Sequence, residues 1–251
     1  MNRVIAIDGP SGAGKSTISK LIAEKLGFQF LDTGALYRAT ALHLRRKGLH
    51  ENSADDEIEK ALEGLSVIFK DNRVFIRDPS LKDSNKSAVT SIKKENSTSS
   101  LLVTDNSSLL LGEDVSDAIR TTEAGHYASV FSARKAVRDF LLDLQRDAAV
   151  HNDIVAEGRD MTTVVFPDAW KKFFLDASEE GRAKRRCLQL KEKGMDITME
   201  EALKDVRERD IRDQSRDIAP LKRADDAIYI DTTDLDLEDV LKKALEVISN
   251  R

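Results

Sequence analysis

The chain has 251 residues, of which 40% are apolar, 34% charged and 5% aromatic, with a formal net charge of −5 at pH 7. A chain of this length folds without a disulfide or metal staple, and its single cysteine, Cys187, excludes an internal disulfide and fits a reducing compartment. The negative charge disfavours sequence-independent binding of nucleic acid, no apolar run is long enough to span a bilayer, and the N-terminus lacks signal-peptide anatomy, so we expect a cytoplasmic protein.

The predicted elements alternate between strands and helices along most of the chain. Short apolar or β-branched runs predict strands, in chain order at residues 4–7, 30–31, 66–70, 73–77, 108–111, 154–156, 173–175 and 227–230. Apolar residues at helical spacing predict helices, in chain order at residues 16–26, 34–47, 121–146, 179–193, 199–216 and 237–249. Strands separated by helices indicate an α/β protein whose parallel sheet is covered on both faces.

One segment breaks this alternation. Residues 78–106 are rich in Ser, Thr, Lys and Asn and nearly free of aromatic residues. Such a segment has too little apolar surface to offset the entropy lost on ordering, so it is interpreted as a mobile Ser-rich surface insertion without a catalytic role.

The strongest motif lies between the first strand and the first helix. Residues 9–16 match G-x-x-x-x-G-K-[ST] at every fixed position. The glycines let backbone N–H groups face phosphate oxygens, Lys15 reaches the β- and γ-phosphates, and the hydroxyl of Ser16 is the expected ligand of Mg²⁺. The residues expected to hold ATP here are Gly9, Pro10, Ser11, Gly12, Ala13, Gly14, Lys15, Ser16 and Thr17.

Two absent patterns argue against a regulatory GTPase. The sequence contains no D-x-x-G motif, and its Asn85-Lys86 pair is followed by Ser-Ala rather than by the guanine-reading x-Asp. The phosphate loop is therefore expected to serve a kinase for a small acceptor.

Arginines cluster on two predicted helices. Arg182, Arg185 and Arg186 share one helical face, and a second face carries Arg209, Arg212, Asp213 and Arg216. Each cluster alone is equally typical of a solvated helix with salt bridges. Beside a phosphate loop, however, an Arg-rich lid that closes over ATP becomes the favoured hypothesis, because phosphoryl transfer needs charge stabilisation and exclusion of water.

Two further segments are candidate acceptor sites. Thr33 stands where it could cap the second helix, and Arg38 follows one turn later, where it could meet a substrate phosphate. Residues 158–160, Gly-Arg-Asp, follow a predicted strand at its carboxyl end, which is where ligands bind in parallel sheets.

These motifs resemble the bacterial cytidylate kinases from end to end. The motifs that carry the resemblance are IDGPSGAGKST at 7–17, LDTGALYR at 31–38, GEDVSDAIRT at 112–121, EGRDMTTVVFPDA at 157–169, FLDASEEGRAKRR at 174–186 and ERDIRDQSRDIAPL at 208–221. The resemblance implies one P-loop nucleoside monophosphate kinase domain with a five-stranded parallel sheet. It also implies a small β-containing substrate-binding insertion at about 64–118 and a helical lid at about 178–218.

The resemblance also implies the roles of individual residues. Cytosine would be read by Ser129, Arg138 and Asp160. The acceptor phosphate would be held by Arg38, Arg159 and Arg216, and the sugar by Thr33, Arg209 and Asp213. Tyr37 and Gly158 complete the expected acceptor site, and Arg186 the ATP site. The catalytic groups expected are Lys15, Arg159, Arg185 and Arg216.

The favoured hypothesis is a monomeric kinase that uses MgATP to phosphorylate CMP or dCMP. One alternative is a kinase for another small acceptor, such as a different nucleotide or shikimate. A second alternative, from another class, is a regulatory module that binds ATP without turnover. The arginines placed for a second phosphate disfavour this last hypothesis, because a simple nucleotide binder does not need them.

Overall fold

The computed structural model describes residues 2–70, 72–79, 112–192 and 194–250. The chain divides into two compact units. Unit 1 comprises Met1–Gly34 together with Ala149–Arg251, and unit 2 is the continuous stretch Ala35–Ala148.

Unit 1 is built on a five-stranded sheet in which every strand pairing is parallel. Its strands are β1 (Val4–Asp8), β2 (Gln29–Asp32), β6 (Ile154–Glu157), β7 (Lys171–Asp176) and β8 (Ile228–Asp231), in the spatial order β2-β6-β1-β7-β8. Central β1 lies between β6 and β7, with Ile7 opposite both Glu157 and Phe173. The carboxyl ends of β1 and its neighbouring strands therefore form the crevice in which parallel sheets bind ligands.

Helices pack on this sheet because their apolar stripes match its side chains. The helices of unit 1 are α1 (Lys15–Leu26), α6 (Glu179–Glu192), α7 (Met199–Gln214) and α8 (Leu237–Ser249). Ile18 and Ile22 of α1 join Val240 and Ala244 of α8 in one buried cluster with the sheet. Phe174 belongs to a separate cluster with Leu221 and Ala227, as expected where successive strand residues point to opposite faces.

Unit 2 contains helices and a small antiparallel sheet. Its helices are α2 (Thr33–Arg46, which begins in unit 1), α3 (Asp55–Leu62), α4 (Thr122–Phe131) and α5 (Lys135–Asp147). Its strands are β3 (Ser66–Lys70), β4 (Arg73–Arg77) and β5 (Glu113–Asp114), paired in that order. Among its fully buried side chains are Leu36, Ile58, Phe131 and Leu141.

The predicted fold class, an α/β protein with a five-stranded parallel sheet, is confirmed. The five strands of this sheet, strands β3 and β4 and most of the helices lie within a few residues of their predicted bounds, whereas strand β5 was not predicted. A strand predicted at 108–111, and all but the first two residues of the segment 78–106, lie outside the described residues.

Two helix predictions differ from the structure, and one helix was missed. The single helix predicted at 121–146 is two helices, α4 and α5, because the chain is extended at Arg134. Helix α7 ends at Gln214, so Arg216 lies beyond it and does not continue its arginine face. Helix α3, whose buried residues are Ile58 and Leu62, was not predicted. None of the helices in the described part of the chain combines the length and apolar character needed to cross a bilayer.

Candidate active site

The phosphate loop follows β1 and ends where α1 begins, as its motif predicts. Gly12 and Gly14 have φ angles of 82° and 89°, a left-handed conformation that favours glycine. A Cβ atom on Gly9 would lie 1.8 Å from the carbonyl oxygen of Leu175, so only glycine fits against β7 at that position. The loop backbone is thus shaped by steric limits that the three glycines satisfy.

Lys15 is buried within this loop and has 5% of its surface exposed. Its Nζ donates a hydrogen bond of 2.7 Å to the carbonyl oxygen of Pro10. Burial lowers the pKa of Lys15 to about 7, and the positive charge of Arg159 lowers it further, against the opposing effect of Glu157. A bound phosphate group would add negative charge beside this ammonium group and favour its charged form.

A buried carboxylate faces the first turn of α1. Ser16 donates its hydroxyl hydrogen to Oε1 of Glu157 over 2.5 Å. Glu157 ends β6 and lies opposite Ile7 and Asp32 in the sheet. Burial raises the pKa of Glu157, and the neighbouring Asp32 raises it further. This pairing of a hydroxyl with a carboxylate supplies the oxygen donors that Mg²⁺ prefers.

Glu157 is a functional candidate that sequence reasoning missed. It begins the motif at 157–169, but the motif alone predicts no role for it. The available signal was an acidic residue that ends a fully apolar strand, which is the pattern of the acidic metal-binding position in P-loop proteins. Recognising it required knowing that β6 would lie beside β1.

The segment after Glu157 is held closely by its neighbours. Thr33 donates its hydroxyl hydrogen to the carbonyl oxygen of Glu157 over 2.7 Å, so this side chain joins β6 rather than capping α2. A Cβ atom on Gly158 would lie 2.8 Å from Oγ1 of Thr33, which explains why glycine stands there. Asp160 follows, 2% exposed, and precedes the π-helical turn Met161–Val165.

Two buried ion pairs tie α7 to its neighbours, one to the segment after β6 and one to α6. Nε of Arg159 donates to Asp213 over 2.8 Å. Burial opposes ionisation of Asp213, but Arg159, followed by Arg209 and Arg216, holds its pKa below the usual value. Arg182 of α6 binds both carboxylate oxygens of Asp210, at 2.9 and 2.6 Å.

Arg182 also contacts the phosphate loop directly. Its Nη1 lies 3.3 Å from the carbonyl oxygen of Ser11, and its Nε donates to the carbonyl oxygen of Ala177 over 2.9 Å. Arg185, one turn later on α6, donates to the carbonyl oxygen of Gly12 over 3.2 Å and to the hydroxyl of Thr232 over 3.0 Å. The helix predicted as a lid therefore rests on the phosphate loop.

The remaining predicted residues are distributed between the two units. Arg186 on α6, Arg209 on α7 and Arg216 just after α7 are half-buried in unit 1. In unit 2, Tyr37 and Arg38 are half-buried on α2, while Ser129 and Arg138 are buried on α4 and α5. The guanidinium carbon of Arg138 lies 6.0 Å from the centre of the Tyr37 ring, and its Nη1 is 3.4 Å from the carbonyl oxygen of Ser132. Unit 2 thus brings Tyr37 and Arg138 together.

Comparison with known proteins identifies the family. The family model described as Cytidylate kinase matches residues 5–250. A cytidylate kinase of Thermodesulfovibrio yellowstonii is 49% identical over 99% of this chain and 99% of its own length. One from Caldicellulosiruptor saccharolyticus is 45% identical over 97% of this chain and 94% of its own, and one from Geobacter sulfurreducens is 43% identical over 99% and 93%. The resemblance predicted from the motifs is confirmed: the chain belongs to the cytidylate kinase family and is an ATP-dependent phosphotransferase with a P-loop kinase fold.

Proposed function

We propose that this chain transfers the γ-phosphoryl group of ATP to CMP or dCMP, giving ADP and CDP or dCDP, with Mg²⁺ bound beside the phosphate loop. The observation that carries the proposal is a set of buried charges at one edge of the parallel sheet. Lys15, Glu157 and Asp160 are each at most 5% exposed there. Buried charges are costly unless paired or used, so their concentration at a ligand-binding edge supports an active site.

The proposed roles follow from the chemistry of phosphoryl transfer, which needs positioning and charge stabilisation rather than covalent chemistry by the protein. Lys15 and the N–H groups of the loop bind the β- and γ-phosphates of ATP, while α6, through Arg185 and Arg186, covers them. Arg38, Arg159 and Arg216 hold the acceptor phosphate, since guanidinium groups bind phosphate bidentately. Thr33, Arg209 and Asp213 hold the sugar.

The donor set beside Lys15 fits Mg²⁺. Ser16 and Glu157 present oxygen atoms, and their 2.5 Å hydrogen bond places both groups at one point of the loop. Ser16 would hold the ion directly and Glu157 would orient it. When bound, the ion neutralises charge on the β- and γ-phosphate oxygens.

Base selectivity is proposed to come from Ser129, Arg138 and Asp160. A carboxylate accepts a hydrogen bond from the exocyclic amine of cytosine, and a guanidinium group donates to the ring acceptors. Uracil carries a carbonyl group where cytosine has the amine, so it would leave the Asp160 carboxylate without its donor. An unmet buried acceptor costs about 1–3 kcal/mol, which corresponds to roughly 5- to 150-fold discrimination.

A coupled ADP-release assay tests the proposal. MgATP would be supplied with CMP, dCMP, UMP, AMP or shikimate, and we expect strong turnover with the two cytosine nucleotides alone. Turnover with another acceptor would contradict the cytosine site, and ATP binding without any turnover would favour a regulatory module.

Lys15→Ala supplies the variant for the same assay. Its kcat should fall about 100- to 1,000-fold, because the transferred phosphoryl group loses a preorganised cation that stabilises its negative charge. Lys20→Ala, on the exposed face of the same helix, is the matched control and should keep full activity. Full activity of Lys15→Ala would contradict the role of the loop.

Several predictions stay predictions. These are the single kinase domain with an insertion at about 64–118 and a lid at about 178–218, the monomeric state, the cytoplasmic location and the lack of nucleic-acid or membrane partners. Size-exclusion chromatography with light scattering would test the monomer, which a particle of twice the 28.0 kDa chain mass would contradict.

A further inference from the structure

Asp8 is a buried carboxylate that the mechanism above does not use. It ends β1, directly before the phosphate loop, and has no exposed surface. Burial raises the pKa of Asp8 to about 6, hydrogen bonds from Thr162 oppose the rise, and the charge of Asp160 adds to it. A buried carboxylate stabilises a fold less well than an apolar side chain of the same size would, so its presence calls for a local reason.

The three donors that Asp8 accepts from come from one short segment. Its Oδ1 accepts from the backbone N–H of Met161 over 2.9 Å. Its Oδ2 accepts from the backbone N–H of Thr162 over 2.7 Å and from the hydroxyl of the same residue over 2.6 Å. Thr162 is itself 1% exposed. Asp8 is therefore bound to the two residues that follow Asp160.

This segment begins the π-helical turn Met161–Val165. The carbonyl oxygen of Asp160 accepts from the N–H groups of Val164 and Val165, at 2.9 and 3.1 Å. The first N–H groups of any helical turn have no partner within it. Asp8, on a neighbouring strand, accepts hydrogen bonds from these N–H groups and so fixes the start of the turn. Because Asp160 directly precedes the turn, its backbone is fixed as well.

The segment before Asp160 is anchored separately. The N–H group of Gly158 donates to the carbonyl oxygen of Ile7 over 3.0 Å, and Arg159 pairs with Asp213. Asp160 thus lies between two anchors, of which the first combines a backbone hydrogen bond to β1 with the Arg159–Asp213 ion pair and the second depends on a single side chain, Asp8. Loss of the second anchor would free the direction of the Asp160 carboxylate while leaving the sheet in place.

We propose that Asp8 is a positioning residue for the base of the acceptor nucleotide, acting through the backbone of Met161 and Thr162 to aim the carboxylate of Asp160. This inference rests on the proposed function, because it takes Asp160 to read the base. It assigns Asp8 to the acceptor and not to ATP, although Asp8 is the neighbour of the first loop glycine.

Asp8→Asn is the principal variant. An amide has one acceptor oxygen, and its NH₂ group would face a backbone donor, so at least one of the three hydrogen bonds is lost. A displacement of about 1 Å at a reacting or recognised group can cost about 100-fold. We expect kcat/KM for CMP to fall about 10- to 100-fold, mainly through KM for CMP, and the CMP/UMP selectivity ratio to fall with it. KM for ATP should change less than about twofold.

A pair of variants at Thr162 keeps the test open if Asp8→Asn fails to fold. Thr162→Val removes the hydroxyl donor at nearly constant volume, and we expect its CMP/UMP ratio to fall about threefold to tenfold, as the loss of one hydrogen bond allows. Thr162→Ser keeps the donor and should restore the ratio. Asp153→Asn, the same change at an exposed ion pair on the opposite end of β6, is the control and should leave both KM values unchanged.

Distinct outcomes would overturn the inference. Variants that lose thermal stability but keep the CMP/UMP ratio would reduce Asp8 to a structural role. A rise in KM for ATP larger than that for CMP would assign Asp8 to the phosphate loop instead. Failure of the proposed function is recognised separately, because the unmodified protein would then show no preference for CMP over UMP.

Discussion

The carboxyl edge of the parallel sheet in unit 1, where its strands end, differs from the amino edge, where they begin, in how far charged side chains are buried. At the carboxyl edge, charged side chains are buried in tight pairs: Arg182 and Asp210 have side chains 5% and 11% exposed, and Arg159 and Asp213 18% and 5%. At the amino edge, Arg3 and Asp153 form an equally short pair, 2.6 Å, with side chains 53% and 28% exposed. Similar distances thus have different energetic meaning, because solvent screens only the second pair.

In the proposed function, the carboxyl edge is the part of the sheet that receives the phosphate groups of both nucleotides. Burying a charge costs several kcal/mol, and the attraction to an opposite charge offsets this cost only where the two groups are well placed. The amino edge instead uses pairs that keep a carboxylate in solvent, such as Lys172 with Asp226 at 2.6 Å, where the Asp226 side chain is 66% exposed, and it leaves Trp170 43% exposed. We therefore expect substitutions of equal chemistry to have large effects at the carboxyl edge and small ones at the amino edge.

The largest effect on stability is expected from Asp210→Asn. The variant leaves the buried guanidinium group of Arg182 without its counter-charge, which should lower the free energy of unfolding by about 3 kcal/mol or more. Urea denaturation followed by fluorescence of Trp170, the only tryptophan, measures this. Combining the change with Arg182→Met should cost less than the sum of the two single changes. A loss of less than about 1 kcal/mol in the free energy of unfolding would show that this buried pair contributes no more to stability than an exposed pair does.

The pH dependence of Asp8 sharpens the contrast. Its pKa is raised from 3.8 to about 6 in the folded protein, so the folded state binds this proton more tightly than the unfolded state does. Stability from this group is therefore greatest below pH 4 and is lost as pH rises through about 6. Relative to Asp8→Asn, the protein should gain on the order of 2–3 kcal/mol between pH 7 and pH 4. Parallel denaturation curves over this range would show it, and a pH-independent difference would contradict it.

Glu157→Gln tests whether the buried carboxylate at the end of β6 serves Mg²⁺. Loss of the charge beside Ser16 should weaken the apparent affinity for Mg²⁺ about 10- to 100-fold. Calorimetric titration of Mg²⁺ into the protein with ADP measures this without turnover. Glu24→Gln, at an exposed position of α1, is the matched control. Unchanged affinity for Mg²⁺ in Glu157→Gln would contradict a role of the carboxylate in Mg²⁺ binding, and its hydrogen bond with the Ser16 hydroxyl would then be structural.

The smallest effect is expected at the amino edge. Asp153 accepts three hydrogen bonds from Arg3, and these bonds, first that of the backbone N–H, lower its pKa. Because both groups are solvated, Asp153→Asn should lower the free energy of unfolding by less than about 1 kcal/mol. The loss should also shrink at 1 M salt. A loss as large as that of Asp210→Asn would break the comparison between the two edges.

The sequence was informative where one local pattern decides the structure. The strand at Val4–Asp8 and the helix at Lys15–Leu26 follow from apolar runs around a glycine-rich turn. The break between α4 and α5 was hidden, because it contains neither glycine nor proline. It depends on Arg134, whose guanidinium group binds Asp55 and the carbonyl oxygens of Glu51 and Ser53. Partners that lie so far apart in the sequence produce no periodic pattern of residues from which the break could be predicted.

The site shows the same limit. The phosphate loop was predicted from eight consecutive residues, and the loop lies where the motif requires. Glu157 was missed because its partner, Ser16, is 141 positions away. Asp8 was missed for a similar reason: its donors are 153 and 154 positions away. A motif reports what its own residues can do, whereas a buried charge becomes meaningful only when the sheet order is known.

The position of β1 also orders events during synthesis. β1 is made before its partners in the sheet, β6 and β7, which begin at Ile154 and Lys171. At roughly 5–20 residues per second, about 7 to 30 s pass before β1 can pair with β6. All of unit 2 is translated in this interval as one continuous stretch. The phosphate loop is therefore made before unit 2 but is enclosed only after β7 has been made, so a chain interrupted before β7 carries the whole motif without the strand against which Gly9 packs.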